Sequence, residues 1–151
     1  MTESLFKLFG YDKFRKGQLE VLHSIIEQRR DCAVFWATGS GKSLCYQLPA
    51  LHCYYNNINT NERKKIAIVV SPLISLMQDQ CNKLNGIFCP RTVAVYLGSS
   101  QRDTSIERRA LVDGEFPLVF LTPEKICSGN VLDQVELLSL SVIAIDEAHC
   151  V

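Results

Sequence analysis

A chain of 151 residues, 47% apolar and 21% charged, is long enough for one domain with a buried core, and its balance excludes a disordered or low-complexity chain. Sixteen basic residues offset sixteen acidic ones. Bulk charge therefore gives no argument for nucleic acid, and a DNA partner would have to be gripped by local geometry. No apolar stretch approaches a bilayer span, and the first residues lack the basic start and apolar run of a secretory signal.

In chain order, Leu19, Leu22, Ile25 and Ile26 predict one face of a helix. A strand is expected over residues 32–36, ending at Trp36, which reads as core rather than as a base-stacking platform. Leu44, Leu48, Leu51 and Tyr55 then recur at helical spacing, with Pro49 expected to bend that helix. The polar, asparagine-rich residues 56–65 read as an exposed loop. A second strand, residues 66–70, leads into Ser71 and Pro72, a plausible N-cap and first-turn proline. The helix they would open carries Leu73, Leu76, Met77, Cys81 and Leu84 on one face. Further strands are expected at 93–97, 118–121 and 142–145. These runs are apolar throughout rather than alternating, as strands covered on both faces should be. The alternation of strand and helix predicts an α/β fold, a mostly parallel sheet with helices on both faces. Residues 1–151 read as a single domain, with no linker to a second one.

Seven cysteines, with no C-x-x-C pair, argue against a disulfide framework and against zinc. They read as reduced, small apolar side chains in a reducing compartment. His23 and His52 have no metal-ligand spacing.

Three segments carry chemistry. The first, Ala37-Thr38-Gly39-Ser40-Gly41-Lys42-Ser43, lies between an expected strand and a helix, the context a phosphate loop requires. Its glycines allow a tight turn that presents backbone N–H groups to an anion, and the helix N-terminus adds its own. Lys42 can reach the β- and γ-phosphates, and Ser43 can ligate Mg²⁺. Trp36 stands where the general pattern G-x-x-x-x-G-K-[ST] wants glycine, whereas the A-x-x-G-x-G-K-[ST] variant has no such requirement. The second, Asp146-Glu147-Ala148-His149, closes the last strand. There one carboxylate can serve Mg²⁺ and its neighbour can orient the attacking water. The third precedes the phosphate loop: Phe9-Gly10-Tyr11-Asp12-Lys13-Phe14-Arg15-Lys16-Gly17-Gln18. A glutamine can pair with adenine and a tyrosine can stack on it, although in isolation these are ordinary surface residues.

In this order the segments resemble the RecQ branch of superfamily 2 helicases, over nearly the whole chain. The 9–18 stretch looks like the family's adenine-reading motif, and 37–50 like motif I and its continuation. Residues 70–80 resemble motif Ia, and 97–101 and 121–124 the smaller motifs that follow. Asp146-Glu147-Ala148-His149-Cys150 is similar to motif II (the DEAH box). Residues 23–24 with 27–31, 37–39 and 127–130 resemble the Werner syndrome helicase branch. The resemblance implies a RecA-like P-loop NTPase domain, the ATP-binding half of an ATP-dependent DNA helicase with 3′–5′ polarity, acting in DNA repair and recombination in the nucleus. It implies that Tyr11, Arg15 and Gln18 read adenine and that Thr38, Gly39, Ser40, Gly41, Lys42 and Ser43 hold the phosphates. Asp146, with Ser43, would serve Mg²⁺, Glu147 the water, and His149 the coupling of nucleotide state to the motor. Ser71, Pro72, Leu73, Thr122, Pro123 and Glu124 would face DNA. Helix capping explains the same Ser-Pro and Thr-Pro-Glu sequences, and the two roles are compatible.

The family's second RecA-like domain, with its arginine finger, is expected to lie in cis beyond these residues, which would then form an incomplete domain. Alone they are expected to hydrolyse ATP poorly and not to unwind duplex. The alternatives are a catalytically silent nucleotide- or single-strand-binding module, and a P-loop ATPase unrelated to nucleic acid. The adenine motif and the DEAH box disfavour the latter.

Overall fold

The computed structural model describes residues 2–57, 65–98, 104–136 and 138–148. Strands β1 (Lys65–Val70), β2 (Ala94–Leu97), β3 (Leu118–Leu121) and β4 (Ser139–Ile145) pair in parallel, in the order β2-β3-β1-β4. Helices α1 (Thr2–Phe9), α2 (Gln18–Ile26) and α3 (Leu44–Asn57) precede the sheet. Helix α4 (Ile74–Phe88) links β1 to β2, and α5 (Thr104–Leu111) lies between β2 and β3. Helices α6 (Pro123–Ile126) and α7 (Gly129–Glu136) lie between β3 and β4.

The uniformly apolar strands are explained by a core on each face of the sheet. Ala67 and Val69 of β1, with Leu118 and Phe120 of β3, pack under Ala50 and Leu51 of α3 and Met77, Cys81 and Leu84 of α4. The intervening Ile66, Ile68 and Val70, with Val119 and Leu121, meet Ala110 and Leu111 of α5 and Val131 and Val135 of α7. A third cluster, Leu5, Leu22, Leu44 and Leu48, fastens α1 and α2 to α3. The fold is therefore α/β and RecA-like, as expected.

Two polar details set the register. Between β1 and β4 the pairing shifts after Ile66, and Ser141, the residue passed over, donates its hydroxyl to the Ile66 carbonyl at 3.0 Å. At the entry to β2, the Asn85 carbonyl oxygen accepts from the N–H groups of Val93 (2.8 Å) and Ala94 (3.0 Å), while its amide donates to the Ala94 carbonyl (2.8 Å). One side chain thus satisfies the backbone where the chain turns from helix to strand.

Several expectations require correction. Residues 32–36 form no strand: Phe35 is 93% exposed, and Trp36 is half-buried rather than core. The Trp36 carbonyl instead accepts the Lys42 ammonium at 2.7 Å. Its ring lies so close over Gly17 that a Cβ there would sit 2.6 Å from it. β4 is not covered on both faces, since Val142 and Ala144 pack inward while Ile143 and Ile145 stay exposed. Leu19 is also exposed, because α2 turns Gln18 and Leu22 inward, one helical turn apart. Ser71 does not cap α4. Its N–H donates to the Leu121 carbonyl at 3.0 Å, which keeps the chain extended, and Leu73 takes the N-cap position without a side-chain bond. Thr122 does cap its helix, accepting from Lys125 N–H at 3.2 Å with Pro123 in the first turn. Pro49 stands inside α3. Most of the 56–65 stretch, the end of the 97–101 motif, His149 and Cys150 lie outside the described residues.

Candidate nucleotide site

Chain order and sheet order diverge at β1. From it the chain crosses to β2, returns to β3 on the same side, and only then places β4 on the other side. In open parallel sheets such a reversal leaves a crevice at the carboxyl ends of the two strands, where ligands bind. Here those ends are Val70 and Ile145, and the Asp146 N–H donates to the Val70 carbonyl at 2.8 Å. Asp146 is thereby held at the mouth of a cleft of about 560 Å³.

The opposite wall is the turn from Ala37 to Ser43. Gly41 has φ +91°, a conformation that favours glycine, and a Cβ there would lie 2.6 Å from the Gln18 amide nitrogen and push that side chain aside. The turn closes through Ser40 N–H to the Ala37 carbonyl (3.2 Å) and Leu44 N–H to the Gly41 carbonyl (3.2 Å). It leads directly into α3, whose first N–H groups, those of Cys45, Tyr46 and Gln47, donate to the Lys42 and Ser43 carbonyls, so the seat for an anion falls to the N–H groups of the loop itself. Thr38, Gly39, Gly41, Lys42 and Ser43 line the cleft. Ser40 does not, and its hydroxyl donates to the Ala37 carbonyl at 2.6 Å. The Lys42 ammonium rests on the loop's own carbonyls, Trp36 at 2.7 Å and Ala37 at 3.4 Å. A phosphate would have to draw it from them.

The residues expected to read adenine lie beside this loop, and two of them grip it. Gln18, only 3% exposed, accepts from Arg15 N–H at 2.8 Å and donates to the Gly41 carbonyl at 3.0 Å. Arg15 donates from its guanidinium to the Gly39 carbonyl at 2.6 Å. Both ends of the Gln18 amide are thus engaged inside the protein. Tyr11 is different: it is exposed, lines the cleft, and lies nearly parallel to Phe9, with ring centres 6.4 Å apart. Its outer face is free to stack on a planar group.

At the acidic end, Asp146 accepts from the Tyr46 hydroxyl at 3.2 Å and from Glu147 N–H at 3.1 Å. Glu147 adopts φ +52°, a left-handed conformation that costs a non-glycine residue roughly 1 kcal/mol. Tyr46 is buried. Burial, and after it the Asp146 carboxylate, push its phenol far above the usual range, so it remains a proton donor to that carboxylate. Ser43 and Asp146 line the same cleft and are both neighbours of Tyr46. A hydroxyl and a carboxylate beside a phosphate seat are hard oxygen donors, the set that suits Mg²⁺.

Tyr46, Gln47 and Gln80 were not singled out from sequence. Tyr46 and Gln47 follow Ser43 by three and four residues, so helical spacing alone puts them on its face. Gln80 has no such spacing, and its only signal is its place at the end of the 70–80 stretch. The expected DNA-facing segments end up side by side, because Ser71 and Thr122 terminate the neighbouring strands β1 and β3. Leu73 and Glu124 are exposed there, whereas Ser71 and Thr122 are buried. The Ser71 hydroxyl has no hydrogen-bond partner among the described residues.

Comparison with known proteins agrees with this geometry. Residues 15–151 match the DEAD/DEAH box helicase family. The chain is 41% identical over 151 residues to the ATP-dependent DNA helicase RecQ of Pasteurella multocida, covering 97% of this chain and 21% of that protein. It is 41% identical over 146 residues to the bifunctional 3′-5′ exonuclease/ATP-dependent helicase WRN of Mus musculus, covering 95% and 9%. With RecQ of Bacillus subtilis the identity is 39% over 147 residues, covering 95% and 22%. The chain thus spans about a fifth of the bacterial relatives' length, and equal identity to a bacterial RecQ and to WRN does not separate the Werner branch from the rest. From residue 15 to its end, the chain belongs to the DEAD/DEAH box helicase family and is similar within it to the RecQ helicases.

Proposed function

We propose that this chain is the ATP-binding portion of a RecQ-type, ATP-dependent DNA helicase, working in cis with a second RecA-like domain outside these residues. The observation that carries this reading is the convergence of phosphate loop and acidic strand end on one cleft, joined by the Tyr46–Asp146 hydrogen bond. The loop N–H groups and Lys42 bind the phosphates, and Tyr11 stacks on the base. Ser43 and Asp146 hold Mg²⁺, which supplies positive charge to the phosphates. Glu147 orients the attacking water, and His149 relays nucleotide state. The exposed Leu73 and Glu124, with Pro72 and Pro123 beside them, form the DNA-facing rim. The protein then works wherever its DNA is, the nucleus in a eukaryote, in repair and recombination.

The second domain is supported by length, since the matched bacterial relatives are about five times as long as this chain. A positive group contributed from outside these residues would account for most of the turnover, by about 10³–10⁵. The chain alone is therefore proposed to bind nucleotide without appreciable hydrolysis or unwinding.

Titration of a fluorescent ADP analogue with Mg²⁺ tests the site. Binding weakened by Lys42→Ala supports the reading. Tight binding indifferent to Lys42 sinks the proposed site. Robust unwinding by the 151-residue chain overturns the need for a second domain.

A further inference from the structure

The face of α3 that follows Ser43 carries two polar side chains that the proposed chemistry does not use. Tyr46 is buried, with its ring edge-on to Phe120 at 6.3 Å, yet its hydroxyl is turned toward Asp146 at 3.2 Å. Gln47, 8% exposed, donates at 2.9 Å to Gln80 of α4, and Gln80 in turn points its amide nitrogen at the Ser43 hydroxyl at 3.4 Å. Burying these polar groups is costly unless they are partnered. Here Tyr46 is partnered directly by the Asp146 carboxylate, and Gln47 by Gln80, which in turn reaches the Ser43 hydroxyl, so both chains of contacts end on the oxygen donors assigned to Mg²⁺.

We propose that Tyr46 and Gln80 are positioning residues for the metal ligands: Tyr46 fixes the Asp146 carboxylate and Gln80, steadied by Gln47, fixes the Ser43 hydroxyl. The proposal rests on the nucleotide-site reading above. The physical reason is pre-organisation. A carboxylate at the end of a sheet edge and a serine on a helix have several rotamers, and Mg²⁺ demands near-ideal octahedral geometry. Outer partners that hold the ligand oxygens remove that search and typically matter 10- to 100-fold for metal affinity. The phenol donates to one Asp146 oxygen, while the other accepts the Glu147 N–H at 3.1 Å. The carboxylate is thus oriented from both sides, with lone pairs left for the ion.

The test measures the affinity of a fluorescent non-hydrolysable ATP analogue with Mg²⁺ and with EDTA, and takes their ratio as each protein's metal gain. Wild type is compared with Tyr46→Phe, Gln80→Leu, Asp146→Asn and the double variant Tyr46→Phe/Asp146→Asn, with a melting curve for each. Phenylalanine keeps the ring packed on Phe120, and the metal-free affinity serves as an internal reference. Tyr46→Phe is expected to cut the metal gain roughly 3- to 10-fold, the scale of one modest hydrogen bond. Asp146→Asn should lower it at least as far, and adding Tyr46→Phe to it should change nothing more, since Tyr46 acts only through that carboxylate. Gln80→Leu reads the Ser43 arm the same way, and carries the test alone if Tyr46→Phe fails to fold. A full metal gain in Tyr46→Phe and Gln80→Leu overturns the inference, as does an equal loss from Tyr46→Phe with and without Asp146. A wild type that binds the analogue but shows no metal gain overturns the inference while leaving the nucleotide reading standing. A folded wild type that binds no nucleotide removes both.

Discussion

Replacing Gln18 by alanine separates two jobs that this amide could do. In the structure it braces the phosphate loop, through the Arg15 N–H at 2.8 Å and the Gly41 carbonyl at 3.0 Å. The side chain is 3% exposed, so water cannot easily take over either bond. Each is worth about 1 kcal/mol net, and their joint loss about 2 kcal/mol. For a domain of this size that lowers Tm by about 4–8 °C. The brace acts on the phosphate end of the site, so ADP and GDP should lose affinity in parallel, with their ratio unchanged. If Gln18 instead reads the base, its amide must leave both partners when nucleotide binds. Then the ADP-to-GDP preference should collapse while Tm barely moves. Thermal melts by circular dichroism, with ADP and GDP titrations on the same samples, decide between them. An unchanged Tm together with a lost adenine preference would refute the bracing argument.

Other perturbations follow from single contacts. Lys42→Ala removes a charge-assisted phosphate contact of about 1.5–3 kcal/mol and should weaken nucleotide binding roughly 10- to 100-fold in an equilibrium titration. Asn85→Ala leaves the N–H groups of Val93 and Ala94 and the Ala94 carbonyl without their partner, and should destabilise the fold by about 2–3 kcal/mol in a urea unfolding curve. Leu48→Ala empties a fully buried position between α1, α2 and α3, at a cost of about 2–5 kcal/mol in the same assay. His52 is tied to Asn56 at 3.0 Å and to Ser4 at 2.9 Å, and burial holds its pKa below the usual histidine range. The folded state therefore resists protonation. Stability present above the unfolded pKa of about 6.5 should fall as pH drops through it toward the lower folded value. His52→Gln should flatten that part of a Tm-against-pH curve.

The strands were the most legible part of the fold. Residues 66–70 and 118–121 are apolar without alternation, and the structure puts a core on each side of them. The 37–43 turn and the acidic strand end were legible as partners because together, in that order, they fit one chemistry, and the structure puts both on one cleft. What stayed hidden was pairing and orientation. Residues 32–36 are as apolar as the true strands, but periodicity reports a demand for burial and says nothing of where the backbone carbonyls go. The Trp36 carbonyl goes to Lys42. Likewise, the types of Tyr46 and Gln80 suggest ordinary helix residues; only the packing of α3 on the sheet brings Tyr46 to Asp146, and only the placement of α4 beside α3 brings Gln80 to Gln47 and Ser43.

The unpaired 32–36 segment leaves the site intact for a definable reason. A phosphate loop needs its glycines held open and its acidic partner held opposite, and neither restraint here comes from a strand preceding the loop. The first comes from α2 and the turn before it, where Gln18 and Arg15 grip the Gly41 and Gly39 carbonyls. The second comes from the sheet, where the Asp146 N–H is fixed to the Val70 carbonyl, and from Tyr46, which spans the gap between helix and strand end. The adenine motif therefore has a mechanical consequence that holds whatever it does to the base. Because it grips the loop through side chains, substitutions at Arg15 or Gln18 should disturb phosphate binding before any base is recognised, and a GTP-selective variant built by changing Gln18 alone should bind every nucleotide less well.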